Sequence, residues 1–261
     1  MSDIITERSE AILRVQLNRP AAKNAMTSAM YITLAELLDG AAKDDEIRVV
    51  LWHGAGDSFC AGNDIGDFLK NPPGPGESPQ ARLIKALISF DKPIVAAVQG
   101  AAIGGGTTML THCDFVFAGE SSKFQMPFIN LALVPEFGSS FTIPARAGYL
   151  RAAELILTGQ SFDARRAVEV GVVTRVVPNQ ELLATATETA QKLAQKPPAA
   201  LQACKRLMKR STRERLEQAV KLELEEFSTR VRSAEAKEAF TAFLEKRPPN
   251  FSRLKEPVSN N

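Results

Sequence analysis

The sequence predicts an α/β fold that ends in a helical C-terminal region. Short apolar runs such as Val49–His53 and Pro93–Val98 flank the helical pattern Gln80–Phe90, an alternation typical of parallel strands joined by helices. Beyond Gly138 the strand signal is confined to Val172–Val177. We therefore expect a sheet-containing core followed by packed helices.

The N-terminal stretch predicts a hairpin and then a helix. Ile4–Ser9 and Ala11–Leu17 alternate as two strands with a turn near Ser9–Glu10. Thr27 has the hydroxyl that an N-cap requires, just before helical spacing begins. The apolar face of that helix includes Met30, Leu34, Leu37 and Leu38.

The remaining pattern is a series of short strands and helices. Pro72–Pro79 is predicted to be an exposed loop rather than a domain linker, because the strand-and-helix pattern resumes on both sides. A stripe of Leu216, Val220, Leu224, Phe227 and Val231 predicts a helix face in the core or a subunit interface. The other predicted strands are Phe115–Ala118 and Lys123–Gln125, and the other helices are Gly105–Cys113, Ser139–Ala147, Arg151–Leu157, Ala164–Val170, Gln180–Gln195 and one beginning at Pro197-Pro198.

Composition favours a cytosolic enzyme or binding protein. The net charge of +2 gives no argument for nucleic acid or a membrane as partner, and no apolar stretch has the length of a membrane span. The N-terminus is charged where a signal peptide would be apolar. Three cysteines without ligand spacing and two histidines, His53 and His112, predict no metal site.

The glycine-rich segment Pro93–Met109 is the first candidate functional stretch. It predicts a strand, a tight turn at Gly104, Gly105 and Gly106, and a helix start whose free N–H groups would stabilise an oxygen carrying negative charge. A glycine-rich turn without a ligand is the other interpretation of this stretch. The spacing matches neither the dinucleotide-binding fingerprint nor the P-loop.

Five short motifs stand in a fixed order along the chain. They are Leu17-Asn18-Arg19-Pro20 with Asn24-Ala25, Phe59-Cys60-Ala61-Gly62-Asn63-Asp64-Ile65, Lys92-Pro93-Ile94-Val95-Ala96-Ala97-Val98-Gln99-Gly100, Gly104-Gly105-Gly106, and Leu157-Thr158-Gly159 with Ala167 and Gly171. Together they resemble the crotonase (enoyl-CoA hydratase/isomerase) superfamily over nearly the whole chain. The resemblance implies a spiral of ββα turns in residues 1–196, which bind acyl-CoA and catalyse, and a helical region in 197–261 for oligomerisation and site closure. It also implies a homotrimer or a dimer of trimers, and acyl-CoA thioester substrates, so that coenzyme A enters with the substrate and no separate cofactor is needed.

By this resemblance the backbone N–H groups of Asn63 and Gly105 hold the thioester oxygen as an oxyanion hole. Because only backbone is used, the Asn63 side chain is expected to matter little. Asp64 is expected to fix the loop through hydrogen bonds, with a role as base as the alternative. The residues expected to contact the acyl-CoA are Lys23, Ala25, Ala61, Asn63, Asp64, Ile65, Gly66 and Gly105.

The reaction is predicted from the carboxylates. Where hydratases of the family carry two glutamates, this chain has Thr108 and Phe128. Glu136 instead matches the catalytic glutamate of the peroxisomal-type monofunctional isomerases that convert 3-enoyl-CoA to 2-enoyl-CoA. The apolar neighbours Phe128, Leu131, Leu133, Val134 and Phe137 would raise its proton affinity.

We therefore expect an enoyl-CoA isomerase with Glu136 as base. The alternatives are a hydratase, hydrolase or decarboxylase of the same family, or a non-catalytic acyl-CoA binder. For Glu136 itself the alternative is a glutamate that favours a helix N-terminus. The basic run Lys205–Arg215 is interpreted as a solvated helix face. A contact for CoA phosphates is the second interpretation, and a nucleic-acid site is the third.

Overall fold

A six-stranded sheet forms the centre of the molecule. The computed structural model describes residues 2–70 and 78–253, so most of the predicted loop Pro72–Pro79 lies outside the described residues. The strands lie in the order β1-β2-β3-β4-β6-β9, where β1 and β2 are antiparallel and every other pair is parallel, as predicted. Their bounds are β1 Ile4–Ser9, β2 Ile12–Leu17, β3 Val49–Gly54, β4 Ile94–Val98, β6 Phe115–Gly119 and β9 Arg175–Val177.

A second, three-stranded sheet lies beyond the carboxyl ends of β4 and β6. It consists of β5 (Ala101–Ile103), β7 (Lys123–Gln125) and β8 (Ser161–Asp163), with β7 in the middle. The sequence predicted β7 but neither β5 nor β8; all three have only three residues, too few for alternation to be a dependable signal. The short β5 ends at Ile103, directly before Gly104, and this sheet therefore leads into the glycine run.

The helices cover both faces of the main sheet and continue into the C-terminal region. Thr27 Oγ1 accepts a hydrogen bond from Met30 N at 3.3 Å, which confirms the predicted N-cap. Ser78 caps the helix that follows the undescribed segment. The bounds are α1 Ser28–Lys43, α2 Ile65–Lys70, α3 Pro79–Ser89, α4 Gly105–Thr108, α5 Ser139–Ala147, α6 Tyr149–Thr158, α7 Ala164–Glu169, α8 Leu182–Ala194, α9 Pro198–Arg230 and α10 Ala234–Leu244.

Two predicted elements are shorter than expected. The helix predicted at Gly105–Cys113 is the four-residue α4 followed by a 3-10 turn, Met109–His112. The strand predicted at Val172–Val177 begins only at Arg175, because Val172 N and Val173 N both donate to Ala167 O and close α7 instead. In both cases, backbone N–H groups that a longer helix or strand would use are hydrogen-bonded within local turns instead.

The core lies on both faces of the main sheet. The face under α8 carries a small hydrophobic cluster. The opposite face carries the large cluster, which includes residues of α1 and α3 and the residues Ala102 and Met109 on either side of the glycine run. The stripe on α9 packs against this large cluster, with Val220 and Phe227 buried and the other three members half-buried, as the core interpretation predicted. No described helix combines the length and the apolar character needed to cross a membrane.

The basic run on α9 is not wholly a solvated face, so that prediction was wrong in part. Lys205 is buried, and its Nζ donates to Asp114 Oδ2 at 2.6 Å and to Lys92 O at 2.7 Å. Lys209 Nζ is also buried, although Arg206, Arg210 and Arg213 remain exposed. The run therefore anchors α9 to the strand-bearing core through its apolar stems and the Asp114 carboxylate.

Candidate active site

A cavity of about 360 Å³, the main cavity, lies between the glycine run and the C-terminal helices. It brings the predicted catalytic residues together. Asn63, Gly105 and Glu136 all line it. Most of its other walls are apolar, as an acyl chain would require. These walls include Phe68, Phe128, Leu131, Leu133, Phe227, Phe240 and Phe243, with Gln125, Asn130 and Arg247 as polar exceptions.

One side of the cavity is formed by two loops that pair through backbone hydrogen bonds. Ala61 N donates to Lys23 O at 2.9 Å, and Met26 N donates to Gly62 O at 2.7 Å. Gly62 has φ +87°, and a Cβ there would lie 2.8 Å from Ile103 O. Glycine therefore lets the loop before Asn63 approach the end of β5, which places Asn63 beside the start of α4.

The backbone N–H groups of Asn63 and Gly105 are available to a ligand. Gly104, at φ +56°, turns the chain from β5 into α4, so that Gly105 is the first helical residue and its N–H has no intrahelical acceptor. Within residues 2–70 and 78–253, no hydrogen bond of ordinary geometry engages either N–H. Two N–H groups without a backbone acceptor, on residues that line one cavity, are what the predicted oxyanion hole requires, although the Gly105 N–H also interacts with the Glu136 carboxyl group.

Glu136 is a buried carboxyl group, only 6% exposed, that lines the same cavity beside Gly105: a Cβ on Gly105 would lie 2.8 Å from its Oε1. Burial raises its pKa to about 8, helped by the nearby charge of Glu223, while Asn63 and the Gly105 N–H partly oppose the shift. Glu136 Oε1 has no hydrogen-bond partner among the described residues. Burial therefore acts on the proton affinity of Glu136 in the direction that the sequence predicted.

Tyr31 is a site residue that the sequence did not reveal. Its side chain is fully buried on α1, and its hydroxyl donates to Asn63 Oδ1 at 2.8 Å. Burial and the charge of Glu136 raise the pKa of Tyr31, which therefore stays protonated and a donor. Since this bond occupies the Asn63 carbonyl oxygen, the amide nitrogen is left free to face Glu136.

Asp64 is turned away from the cavity and towards the backbone. Its Oδ1 accepts from Asp67 N at 3.1 Å at the start of α2, and its Oδ2 pairs with Arg19 at 2.9 Å. The hydrogen bond to Asp67 N and the Arg19 pair both lower its pKa. These contacts are those of a residue that fixes the loop, as expected, rather than of a base.

The other residues predicted to contact acyl-CoA fall into two groups. Ala61 and Ile65 line the cavity. Lys23 is exposed at φ +49°, Ala25 is half-buried next to it, and Gly66 is exposed at the start of α2, so none of the three contributes to the cavity wall. They lie along the paired loops that lead from the surface to Asn63.

No carboxylate stands at the positions of the two hydratase glutamates. The Thr108 hydroxyl is buried and donates to Gly104 O at 3.3 Å, so it stabilises the first turn of α4. Phe128 forms part of the cavity wall. Of the apolar neighbours predicted for Glu136, Leu131 and Leu133 also line the cavity, whereas Phe137 lies in a smaller cavity behind Glu136.

The C-terminal helices of the same chain complete the cavity. Phe227 of α9 and Phe240 and Phe243 of α10 supply its outer wall, together with Arg247. Phe68 packs on Phe227 and Phe240, with ring centroids 6.0 and 5.8 Å apart. The sequence could not identify these residues, because an aromatic residue on a helical stripe looks the same in a core and in a ligand pocket.

The comparisons with known proteins agree with this geometry. The sequence model of the family described as enoyl-CoA hydratase/isomerase matches residues 7–254. The chain is 34% identical to 2,3-dehydroadipyl-CoA hydratase of Escherichia coli (96% of this chain, 99% of the relative), and 31% identical to enoyl-CoA delta isomerase 2 of Rattus norvegicus (94% of this chain, 64% of the relative). It superposes on a crystal structure of an enoyl-CoA hydratase/isomerase from Pseudoalteromonas atlantica with a TM-score of 0.91 and 39% identity, covering 96% and 100% of the two chains. The chain therefore has the predicted crotonase fold and belongs to the enoyl-CoA hydratase/isomerase family.

Proposed function

We propose that this enzyme shifts the double bond of a 3-enoyl-CoA to the 2-position, with Glu136 as its base. The observation that carries the proposal is that Glu136 is the carboxyl group lining the main cavity among the described residues, with a proton affinity suited to neutral pH. A hydratase of the usual kind would need two carboxyl groups, which activate the attacking water and protonate the substrate. Thr108 and Phe128 offer neither.

The proposed mechanism uses the two sides of the cavity in turn. The thioester oxygen accepts hydrogen bonds from the N–H groups of Asn63 and Gly105, which stabilise the dienolate formed when a proton leaves C2. Glu136 takes that proton and returns it to C4, so that the double bond moves from C3–C4 to C2–C3 and no atom is gained or lost. The apolar walls, including Phe128 and Phe240, keep water from the intermediate.

Hydration remains the second candidate, because several relatives at 31% to 36% identity are named hydratases. The two reactions differ in product. Supplied with a 3-enoyl-CoA, the proposed isomerase gains the absorbance of a conjugated enoyl thioester, and mass spectrometry detects no added water. If 3-hydroxyacyl-CoA is the major product, the isomerase proposal is wrong; thermal stabilisation by acyl-CoA without turnover identifies a binding protein.

Isotope transfer tests the single-base mechanism. With substrate deuterated at C2 in ordinary water, we expect product with measurable deuterium at C4, since one enclosed carboxyl group returns the proton it removed. Complete loss of label without hydroxyacyl product indicates that Glu136 exchanges with solvent faster than it delivers the proton. In that outcome the isomerisation stands and the claim of direct transfer fails.

We also propose that the chain works as a homotrimer or a dimer of trimers. Large apolar side chains stand exposed along α6, where Tyr149 is 73% and Leu150 83% exposed, and Leu157 lies on the same helix. Burying such side chains between subunits is favourable. Light scattering after size-exclusion chromatography tests this proposal, and a monomeric mass contradicts it.

A further inference from the structure

A second buried carboxyl group lies behind Glu136. Glu223, on α9, is 7% exposed and lines a cavity of about 50 Å³ that is separate from the main cavity. Glu136 also lines this smaller cavity, so it stands between the two. The remaining walls come from α2, α3 and α9 and include Phe68, Ser78, Gln80 and Phe227.

Glu223 holds the loop that carries Glu136. Its Oε2 accepts from Gly138 N at 2.6 Å, and its Oε1 accepts from Ser140 N at 2.7 Å. Gly138 is the N-cap and Ser140 the second residue of the nine-residue α5. Both carboxylate oxygens of Glu223 therefore bind N–H groups at the start of that helix, which have no acceptor within the helix. Gly138 has φ +71°, and a Cβ there would lie 2.3 Å from Leu216 of α9, which shows how closely the loop packs on that helix.

We propose that Glu223 is a positioning residue for Glu136: it clamps the loop that carries the base and places a second buried negative charge behind it. The proposal rests on the proposed function in that Glu136 is the base. It goes beyond that function because it assigns part of the base's strength to Glu223 of α9, which does not line the main cavity.

The groups around Glu136 leave Glu223 as its main electrostatic neighbour. The pKa of Cys60 is raised to about 12 and that of His112, behind Phe137, is lowered to about 3, both by burial, so these side chains are neutral at pH 7. Tyr31 is neutral for the same reason. Facing the main cavity from beyond α10, Arg247 is paired with Glu238 and Glu245.

No cation pairs with Glu136 or Glu223 in the part of the chain that the structure describes. Burial raises the pKa of Glu223, whereas the N–H groups of Ser140 and Gly138 oppose the rise by stabilising its ionised form. A charge held there makes ionisation of Glu136 less favourable, which gives a stronger base at the cost of a smaller ionised fraction at neutral pH.

The test compares E223Q with E225Q, which removes an exposed charge two residues away on the same helix. The ionised form of Glu136 is the active base, so kcat/KM rises with pH and levels off above the pKa. In E223Q we expect the midpoint to fall by about one pH unit, so the ionised fraction of Glu136 rises about tenfold at pH values well below the midpoint, and kcat/KM there rises by less than that factor. The plateau at high pH falls, because the base is weaker, and E225Q matches the wild type.

A merely structural role gives a different result. In that case E223Q loses activity by the same factor at every pH and the midpoint does not move, which overturns the proposal. E223D separates the effect of the charge from the effect of holding the loop, because aspartate keeps the charge but has a shorter side chain. We expect its plateau to fall while its midpoint stays near that of the wild type.

A readout that does not depend on isomerisation separates this proposal from the proposed function. Carbon-13 NMR of protein labelled at the glutamate carboxyl carbons follows Glu136 directly, and E136Q assigns its signal. We expect the wild-type Glu136 signal to titrate well above the ordinary value for glutamate, about 4.3, and the signal in E223Q to titrate lower. If E223Q fails to fold, the wild-type and E223D titrations decide: an ordinary midpoint for Glu136, or one that is lowered in E223D, overturns the proposal even if isomerisation is observed.

Discussion

The two sides of the active site are built in different ways. On the oxyanion side, the donors are backbone N–H groups of Asn63 and Gly105, set by loops that pair through their own backbone, as between Met26 and Gly62. On the base side, the proposed base is the single side chain of Glu136, and Glu223 reaches its loop from 85 residues further along the chain. The difference predicts that the oxyanion side depends on backbone conformation, whereas the base side depends on distant side chains.

The largest expected effect is on the base side. Glu136→Gln keeps the size of the side chain but cannot accept the proton, so we expect isomerisation to fall by about 10³-fold. Binding of a non-reactive acyl-CoA, measured by calorimetry, should change little, because the oxyanion side is untouched. Glu120→Gln, at an exposed glutamate, serves as the control. Wild-type turnover in E136Q would remove Glu136 from the mechanism.

The next effect tests the backbone of the oxyanion side. Gly105→Pro deletes the N–H, and we expect a loss of at least about 10²-fold in kcat. Gly105→Ala keeps the N–H but places a Cβ 2.8 Å from Glu136 Oε1, so a smaller loss is expected, about tenfold. Steady-state kinetics on folded variants gives both values. Equal losses would show that space beside Glu136, rather than the N–H, matters at this position.

A smaller effect is expected where the two sides touch. The sequence predicted that the Asn63 side chain matters little, but the structure places its amide between Tyr31 and Glu136. We now expect Asn63→Ala to lower kcat about tenfold and Tyr31→Phe to lower it less, because Phe keeps the packing and loses only one hydrogen bond. Neither change should weaken the backbone donors. Activity of N63A equal to that of the wild type would restore the sequence-based expectation.

This contrast also explains what the sequence could and could not predict. The oxyanion side was predictable because backbone N–H groups follow from glycines and turns that are local in sequence, as at Gly104 and Gly105. Glu136 was predictable through its position in a family motif. Glu223 was not, since its role depends on packing against a loop 85 residues away.

Signals for the missed residues exist but are weak. Glu223 falls on the apolar stripe of α9, three residues after Val220 and four before Phe227, and a charged residue in such a stripe is a reason to look for a buried partner. Tyr31 was not among the residues predicted for the apolar face of α1, and nothing in the sequence specified a partner for its hydroxyl. The end of α4 and the start of β9 were missed because hydrogen bonds to neighbouring turns decide both boundaries.

The smallest expected effect concerns stability, and it distinguishes the two sides without any substrate. Glu136 has a folded-state pKa of about 8 against 4.5 as its ordinary value, so the folded protein binds the proton more tightly than the unfolded chain does. The stability due to this group is therefore full below about pH 4.5 and is lost as the pH rises to about 8. Glu136→Gln removes the dependence, so we expect its melting temperature to exceed that of the wild type at pH 8.5 by several degrees and to approach it at pH 5. The matched control is the exposed Glu120→Gln, whose difference from the wild type we expect to be the same at both pH values. A melting-temperature difference for E136Q that does not change with pH would contradict the buried, proton-binding state of Glu136. It would also contradict the view that the base side, unlike the oxyanion side, lowers the folding stability at high pH.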